Sequence, residues 1–176
     1  MGNELVTDIS IIEALAEERE EENWEFRRFL KNSDLEIEKI DAIVHRLYRE
    51  VAKGIACLEC GHCCRVASPI LSPEDVSRLA EVQGMTDEAF TEQYLIKDEA
   101  GMLFRLPCPF QSGHTCTVYE HRPENCRSFP HLHKPDFVFH LVRAIENCSV
   151  CPISFNVYER LKQEIYAGVD RIFGQS

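Results

Sequence analysis

Four cysteines fall within eight residues in the stretch CLECGHCC, at Cys57, Cys60, Cys63 and Cys64. Thiolates are soft donors that bind zinc, copper(I) or iron–sulfur clusters in preference to magnesium or calcium, and zinc or a cluster iron takes tetrahedral coordination. A C-x2-C spacing lets two sulfurs converge on one ion. Cys57, Cys60 and Cys63 use that spacing twice and resemble the C-x2-C-x2-C portion of bacterial ferredoxins, whose next ligand stands before a proline. Two cysteines here precede prolines, Cys108 before Pro109 and Cys151 before Pro152. Adjacent side chains point to opposite faces of extended backbone and diverge on a helix, so the Cys63 and Cys64 sulfurs are expected to face different centres.

Five more cysteines follow: Cys108, Cys116 and Cys126 at loop-like spacings, and the C-x2-C pair Cys148 and Cys151. All nine are candidate metal ligands, enough for two four-thiolate sites with one to spare. In a reducing compartment nine thiols point to metal rather than to structural disulfides. Four thiolates around one divalent ion leave a net charge near −2, which nearby cations offset. Arg65, Arg122 and Arg127, each close in sequence to a cysteine, are the candidates. His62, His114, His121, His131 and His133 also lie near the cysteine blocks, but the supply of thiols makes them less necessary. Of these, His131 and His133 would share a face if their segment were a strand. His45 reads as a surface residue.

The 176-residue chain is 44% hydrophobic and 28% charged, as soluble globular proteins are. Its net charge is −11, and the first fifty residues carry 14 acidic against 7 basic side chains. No basic stripe offsets this, so nucleic acid is not an expected partner. The start MGNELVTDIS lacks the basic and apolar regions of a secretory signal, and no apolar run suits a membrane helix. A cytoplasmic location is the expectation, with a metal ion as partner and any protein partner unidentified.

The elements that must carry these residues are mainly α with a small β-element, an irregular cysteine-rich metal-binding core being flanked by N-terminal and C-terminal helices. Apolar spacing predicts one helix over 8–30, with Trp24 and Phe26 assigned to the core. A second should be capped by Ser33 with Glu36, carry Leu35, Ile37, Ile40, Val44, Leu47 and Val51 at helical spacing, and stop at Gly54. LSPEDVSRLAEVQG predicts a helix with Ser72 as cap, Pro73 first, Asp75 closing the box and Gly84 as stop; Thr86 caps another through Phe90 and Tyr94. GMLFRLP, TCTVY and DFVFHLV read as short strands. The last segment returns to helical spacing through Phe155, Tyr158, Leu161, Ile165, Val169 and Ile172. These elements suggest an N-terminal helical extension over 1–54 and a cysteine-cluster domain with a C-terminal helix over 55–176.

In order along the chain come CLECGHCCR, LSPEDVSRLA, CPF at Cys108, and CTVYEHRPENCRSFP from Cys116 to Pro130. Together these blocks resemble the CxxCxxCC cysteine-cluster family, also called YkgJ-type, over about Cys57 to Pro130. The resemblance implies a domain that chelates zinc or iron, an iron–sulfur cluster included, through Cys57, Cys60, Cys63, Cys64, Cys108, Cys116 and Cys126. Cys148 and Cys151 lie beyond it and rest on spacing alone. A domain of this kind also occurs in flagellin lysine N-methylases, which use S-adenosylmethionine. Three functions follow as expectations: a metal-chelating protein; an iron–sulfur enzyme of electron transfer or protein lysine methylation, for which Glu120 or His121 reads as readily as a surface residue as a base; and a metal-stapled interaction module.

Overall fold

A computed structural model describes residues 4–173, with side chains through residue 168. The chain is mainly helical, with ten α-helices and two small antiparallel sheets among the described residues. By internal packing it divides into two compact units, residues 1–56 with 130–176 and residues 57–129. No helix among the described residues is long and apolar enough to cross a membrane.

The first unit is helical. Helices α1 (Ile9–Glu18) and α2 (Glu20–Asn32) replace the single helix expected over 8–30. The break is at Arg19, whose backbone leaves helical geometry at φ −100° and ψ 12° while its side chain pairs with Glu159. The Asp8 carboxylate caps α1, accepting from Ser10 N at 2.8 Å. Helix α3 (Ile37–Ala52) buries Ile40, Val44, Leu47 and Val51 as its spacing requires. Its start corrects the expected Ser33–Glu36 box: Ser33 instead ends α2, donating through Oγ to Leu30 O at 3.0 Å, and α3 begins after Glu36 without a side-chain cap. The helix closes at Lys53, and Gly54 follows it. The Gly54 backbone is not left-handed, and a Cβ there would lie 2.6 Å from Leu5 Cδ1, the end of a side chain that can shift aside.

Helices α9 (Leu141–Glu146) and α10 (Pro152–Phe173) complete this unit and pack against α1, α2 and α3. Phe155, Tyr158, Leu161 and Ile165 are buried on α10 as expected; the Val169 and Ile172 side chains lie outside the described residues. Phe26 is fully buried and packs edge-on against Tyr158, with ring centres 5.7 Å apart. Trp24, by contrast, is only half-buried and donates to Glu20. Lys162, 3% exposed, reaches Asn23 Oδ1 at 2.9 Å, Glu22 at 2.9 Å and Glu159 at 2.6 Å. A buried ammonium requires such a set of acceptors to offset its desolvation.

DFVFHLV is not a strand. It forms a 3-10 turn, Phe137–His140, and the start of α9, burying Phe137, Val138 and Leu141. The segment lacks period-2 burial, and two N–H groups at its start are already taken: the Asp41 carboxylate accepts from Asp136 N at 2.7 Å and Phe137 N at 2.9 Å. With no strand partner, its apolar residues follow a helical turn instead.

The second unit has its own core of Leu71, Val76, Leu79, Ala80, Phe90, Leu95, Phe104, Phe110 and Val118. Helix α6 (Pro73–Gln83) has the predicted Ser72–Asp75 capping box, Pro73 at its first position and Gly84 as a left-handed cap at φ 65°. Helix α7 (Asp87–Tyr94) is capped by Thr86, whose Oγ1 accepts from Ala89 N at 3.3 Å. Strands β1 (Ile70–Leu71), β2 (Leu95–Lys97) and β3 (Met102–Phe104) form an antiparallel sheet in the order β1-β3-β2. Strand β4 (Gln111–Ser112) pairs with β5 (Thr115–Cys116) in a hairpin. GMLFRLP and TCTVY thus contribute strands of three and two residues.

Candidate metal centre

Seven of the nine candidate ligands lie in the 57–129 unit, six on four short elements and Cys108 in a loop. Cys57 and Cys60 bound the one-turn helix α4 (Cys57–Cys60), and Cys63 and Cys64 open α5 (Cys63–Val66). Cys108 precedes the β4–β5 hairpin and Cys116 ends β5. Cys126 sits in the middle of α8 (Glu124–Ser128). Cys57 is exposed and the other six are half-buried.

Backbone bonds bring the first block to the hairpin. Cys108 N donates to Cys64 O at 2.9 Å, and Gln111 Nε2 donates to Gly61 O at 2.8 Å. His114 Nδ1 lies 3.2 Å from Cys60 O, which also accepts from Arg65 at 3.5 Å. Gly61 makes this approach feasible. It adopts φ +55°, and a Cβ there would come within 2.7 Å of His114 O.

Cys64 is the electrostatic hub of the seven. A hydrogen bond from the Cys63 side chain lowers its thiol to about 7, with help from the Arg65 guanidinium. The Cys63 side chain is thereby a hydrogen-bonding neighbour of the Cys64 thiol. The charge on Cys64 is felt by Cys57, Cys108, Cys116 and Cys126 in turn. Cys60 acts on Cys57, so the network takes in all seven.

Apart from Cys64, each resolved shift in this group is upward. Burial pushes Cys108 to about 11, with Cys64 and Cys116 adding to it. Burial also raises Cys126 to about 12, aided by the charges of Cys108, Cys64, Cys116 and Asp75. Cys57 and Cys116 are raised by burial as well, and the Arg122 guanidinium counters the shift at both. Crowded thiols raised in this way hold their protons, and a metal ion bound by them would have to displace those protons.

Of the three arginines singled out, Arg65 and Arg122 place positive charge on the cysteines. Arg122 also lies over the Tyr119 ring at 3.6 Å and donates to Tyr119 O at 2.6 Å. Arg127 braces the loop backbone instead, donating to Arg122 O at 3.0 Å and to Glu120 O. His62 is buried beside the cysteines, whereas His121 is exposed and offers its carbonyl to Arg78. His131 and His133 belong to the helical unit. His131 has φ +68° in a turn, so the shared strand face is not realised, and His133 lies tilted against Tyr48 with ring centres 6.2 Å apart.

Cys148 and Cys151 also belong to the helical unit. They are 2% and 6% exposed, and the Cys148 Sγ donates to Ala144 O at 3.2 Å. Burial drives the Cys148 thiol far up; its charged neighbours are Glu159, Lys162 and Cys151.

The CxxCxxCC family, described as "Putative zinc- or iron-chelating domain", matches residues 56–152, more than half of the chain. The chain belongs to the CxxCxxCC family. The CxxCxxCC match runs beyond Pro130, where the quoted motifs end, and takes in Cys148 and Cys151. Neither a curated protein nor a solved structure matches the chain. The donor set suits the metals in the family description, since soft thiols dominate it. Among the described residues no group of three or more His, Cys, Asp or Glu side chains is already gathered as an ion requires. Asp75 and Arg78 were not singled out as functional residues by sequence; the signal was their i, i+3 spacing on the capped helix α6.

Proposed function

We propose that this CxxCxxCC chain chelates zinc or iron through Cys57, Cys60, Cys63, Cys64, Cys108, Cys116 and Cys126. The observation that carries the reading is the coupling of four other thiols to Cys64, the one sulfur held low at about 7. With Cys64 held low, an arriving cation displaces protons from the raised thiols around it. Arg65 and Arg122 offset the accumulated negative charge. The bound metal supplies a cross-link between the first cysteine block, the hairpin and α8. Seven thiolates fill one tetrahedral site completely; a second metal would need a shared sulfur or another donor. A reducing compartment such as the cytoplasm keeps these thiols available.

Cys148 and Cys151 are assigned to the interior of the helical unit rather than to the metal. A Cys148 thiolate there would forgo solvation, and the Glu159 carboxylate opposes the help that Lys162 gives it.

Metal analysis and an ultraviolet–visible spectrum of protein purified without oxygen test this reading. One or two equivalents of zinc without visible absorption would mark a zinc protein; iron with sulfur-to-iron charge-transfer bands would mark an iron or iron–sulfur protein. Protein that retains neither metal, and takes up neither when reduced and supplied with them, would refute it.

A further inference from the structure

We propose that Asp75 and Arg78, on helix α6, are positioning residues that hold the Cys126 loop ready for metal. The proposal rests on the chelation reading given above. Helix α8, which carries Cys126, begins at Glu124 after Pro123, and a proline offers no side-chain oxygen to cap the free N–H groups. Asp75 supplies that acceptor from another helix: its Oδ1 accepts from Glu124 N at 3.2 Å, while Oδ2 accepts from Ser72 N at 3.2 Å. The carboxylate is 3% exposed. Its charge is balanced by Arg78, which pairs with Oδ1.

Arg78 extends the same hold to the loop before α8. Its Nε donates to His121 O at 3.2 Å, and Nη2 donates to Arg122 O at 3.3 Å. The pair thus fixes the backbone from His121 to Glu124 on one side of Cys126. On α8 itself, Asn125 Nδ2 donates to Ile70 O at 3.4 Å, and Ser128 Oγ closes onto Glu124 O at 3.0 Å. Binding to a site with mobile ligands costs the entropy of ordering them, so a loop fixed beforehand binds more tightly. The LSPEDVSRLA block, which carries no metal ligand, thereby contributes to the centre through Cys126.

Cobalt(II), a spectroscopic substitute for zinc, tests the proposal in the full-length reduced protein. Cobalt affinity and the intensity of the tetrahedral cobalt–thiolate bands are measured for wild type, Asp75→Ala, Cys126→Ala and the double variant. Asp75→Ala should weaken cobalt binding by about tenfold. In the Cys126→Ala background the same change should have no further effect, because the residue acts through that sulfur. Arg78→Lys, which keeps the charge but loses the fork to two carbonyls, should give a smaller loss that also vanishes without Cys126. Ser72→Ala removes the cap of α6 and leaves the Asp75 contact with Glu124 intact; it should lower thermal stability without moving cobalt affinity. Equal losses with and without Cys126, or wild-type affinity in both the Asp75 and Arg78 variants, would overturn the positioning role. Failure of the wild type itself to bind cobalt would overturn the chelation reading beneath it.

Discussion

Cys57–Cys60 and Cys148–Cys151 have the same C-x2-C spacing but opposite surroundings. The first pair lies in the 57–129 unit beside five other sulfurs, with Arg65 and Arg122 acting on its neighbourhood, and Cys57 is exposed. The second lies in the helical unit, almost fully buried, where a thiol hydrogen-bonds a helix carbonyl. A spacing tells which sulfurs can meet; burial and neighbouring charge tell whether they can ionise. The two regions also differ in what holds them. The helical unit rests on close-packed side chains such as Phe26, Tyr158 and Leu161, whereas the cysteine unit adds to its own nine-residue core a set of loops that a metal would fasten.

That contrast breaks most visibly by cutting the helical core. Phe26→Ala should destabilise the protein by about 3–5 kcal/mol in denaturant titration, because a fully buried aromatic side chain leaves both lost transfer energy and a cavity. Metal content per folded chain should stay at the wild-type level. A Phe26→Ala protein that folds but no longer holds metal would mean that the two regions do not divide the work as described.

A smaller effect sharpens the same division through pH. His131, in the helical unit, is lowered to about 4, chiefly by burial and then by the charges of Lys134 and Arg143. The unfolded chain takes up this proton near pH 6.5, the folded chain only near 4, so the stabilising contribution is complete above the first value and is lost as pH falls towards the second. With the ring only half-buried, solvent screening reduces the contribution to about 1 kcal/mol. His131→Gln should therefore flatten the stability profile between pH 6.5 and 4, measured on metal-free protein so that thiol protonation does not enter. An unchanged slope would remove His131 as its source.

Where local chemistry decided the outcome, the sequence was a sufficient guide. Ser72, Pro73, Asp75 and Gly84 bound α6 as read, because caps and a left-handed stop depend on residues a few positions apart. Ile40, Val44, Leu47 and Val51 revealed the buried face of α3 by period alone. Two misreadings came where a distant partner intervened: Arg19 is drawn to Glu159, and Asp41 takes the N–H groups that would have begun a strand at Phe137. A third was local, since the Ser33 hydroxyl turns back three residues to Leu30 O instead of capping α3. The family motifs were visible as residues, and the match to residues 56–152 agrees with them. The reach of Asp75 to Glu124 across 49 positions was not visible, since nothing local in either segment signals it.

The central claim, seven metal-binding thiols and two buried ones, is tested most directly by metal stoichiometry. Reduced wild type, Cys64→Ala and the double variant Cys148→Ala/Cys151→Ala are loaded with zinc under identical conditions and compared. The account predicts wild-type zinc content in the double variant, with a loss of thermal stability from the two cavities, and a marked loss of zinc in Cys64→Ala. Zinc lost from a folded double variant, or retained in full by Cys64→Ala, would contradict it.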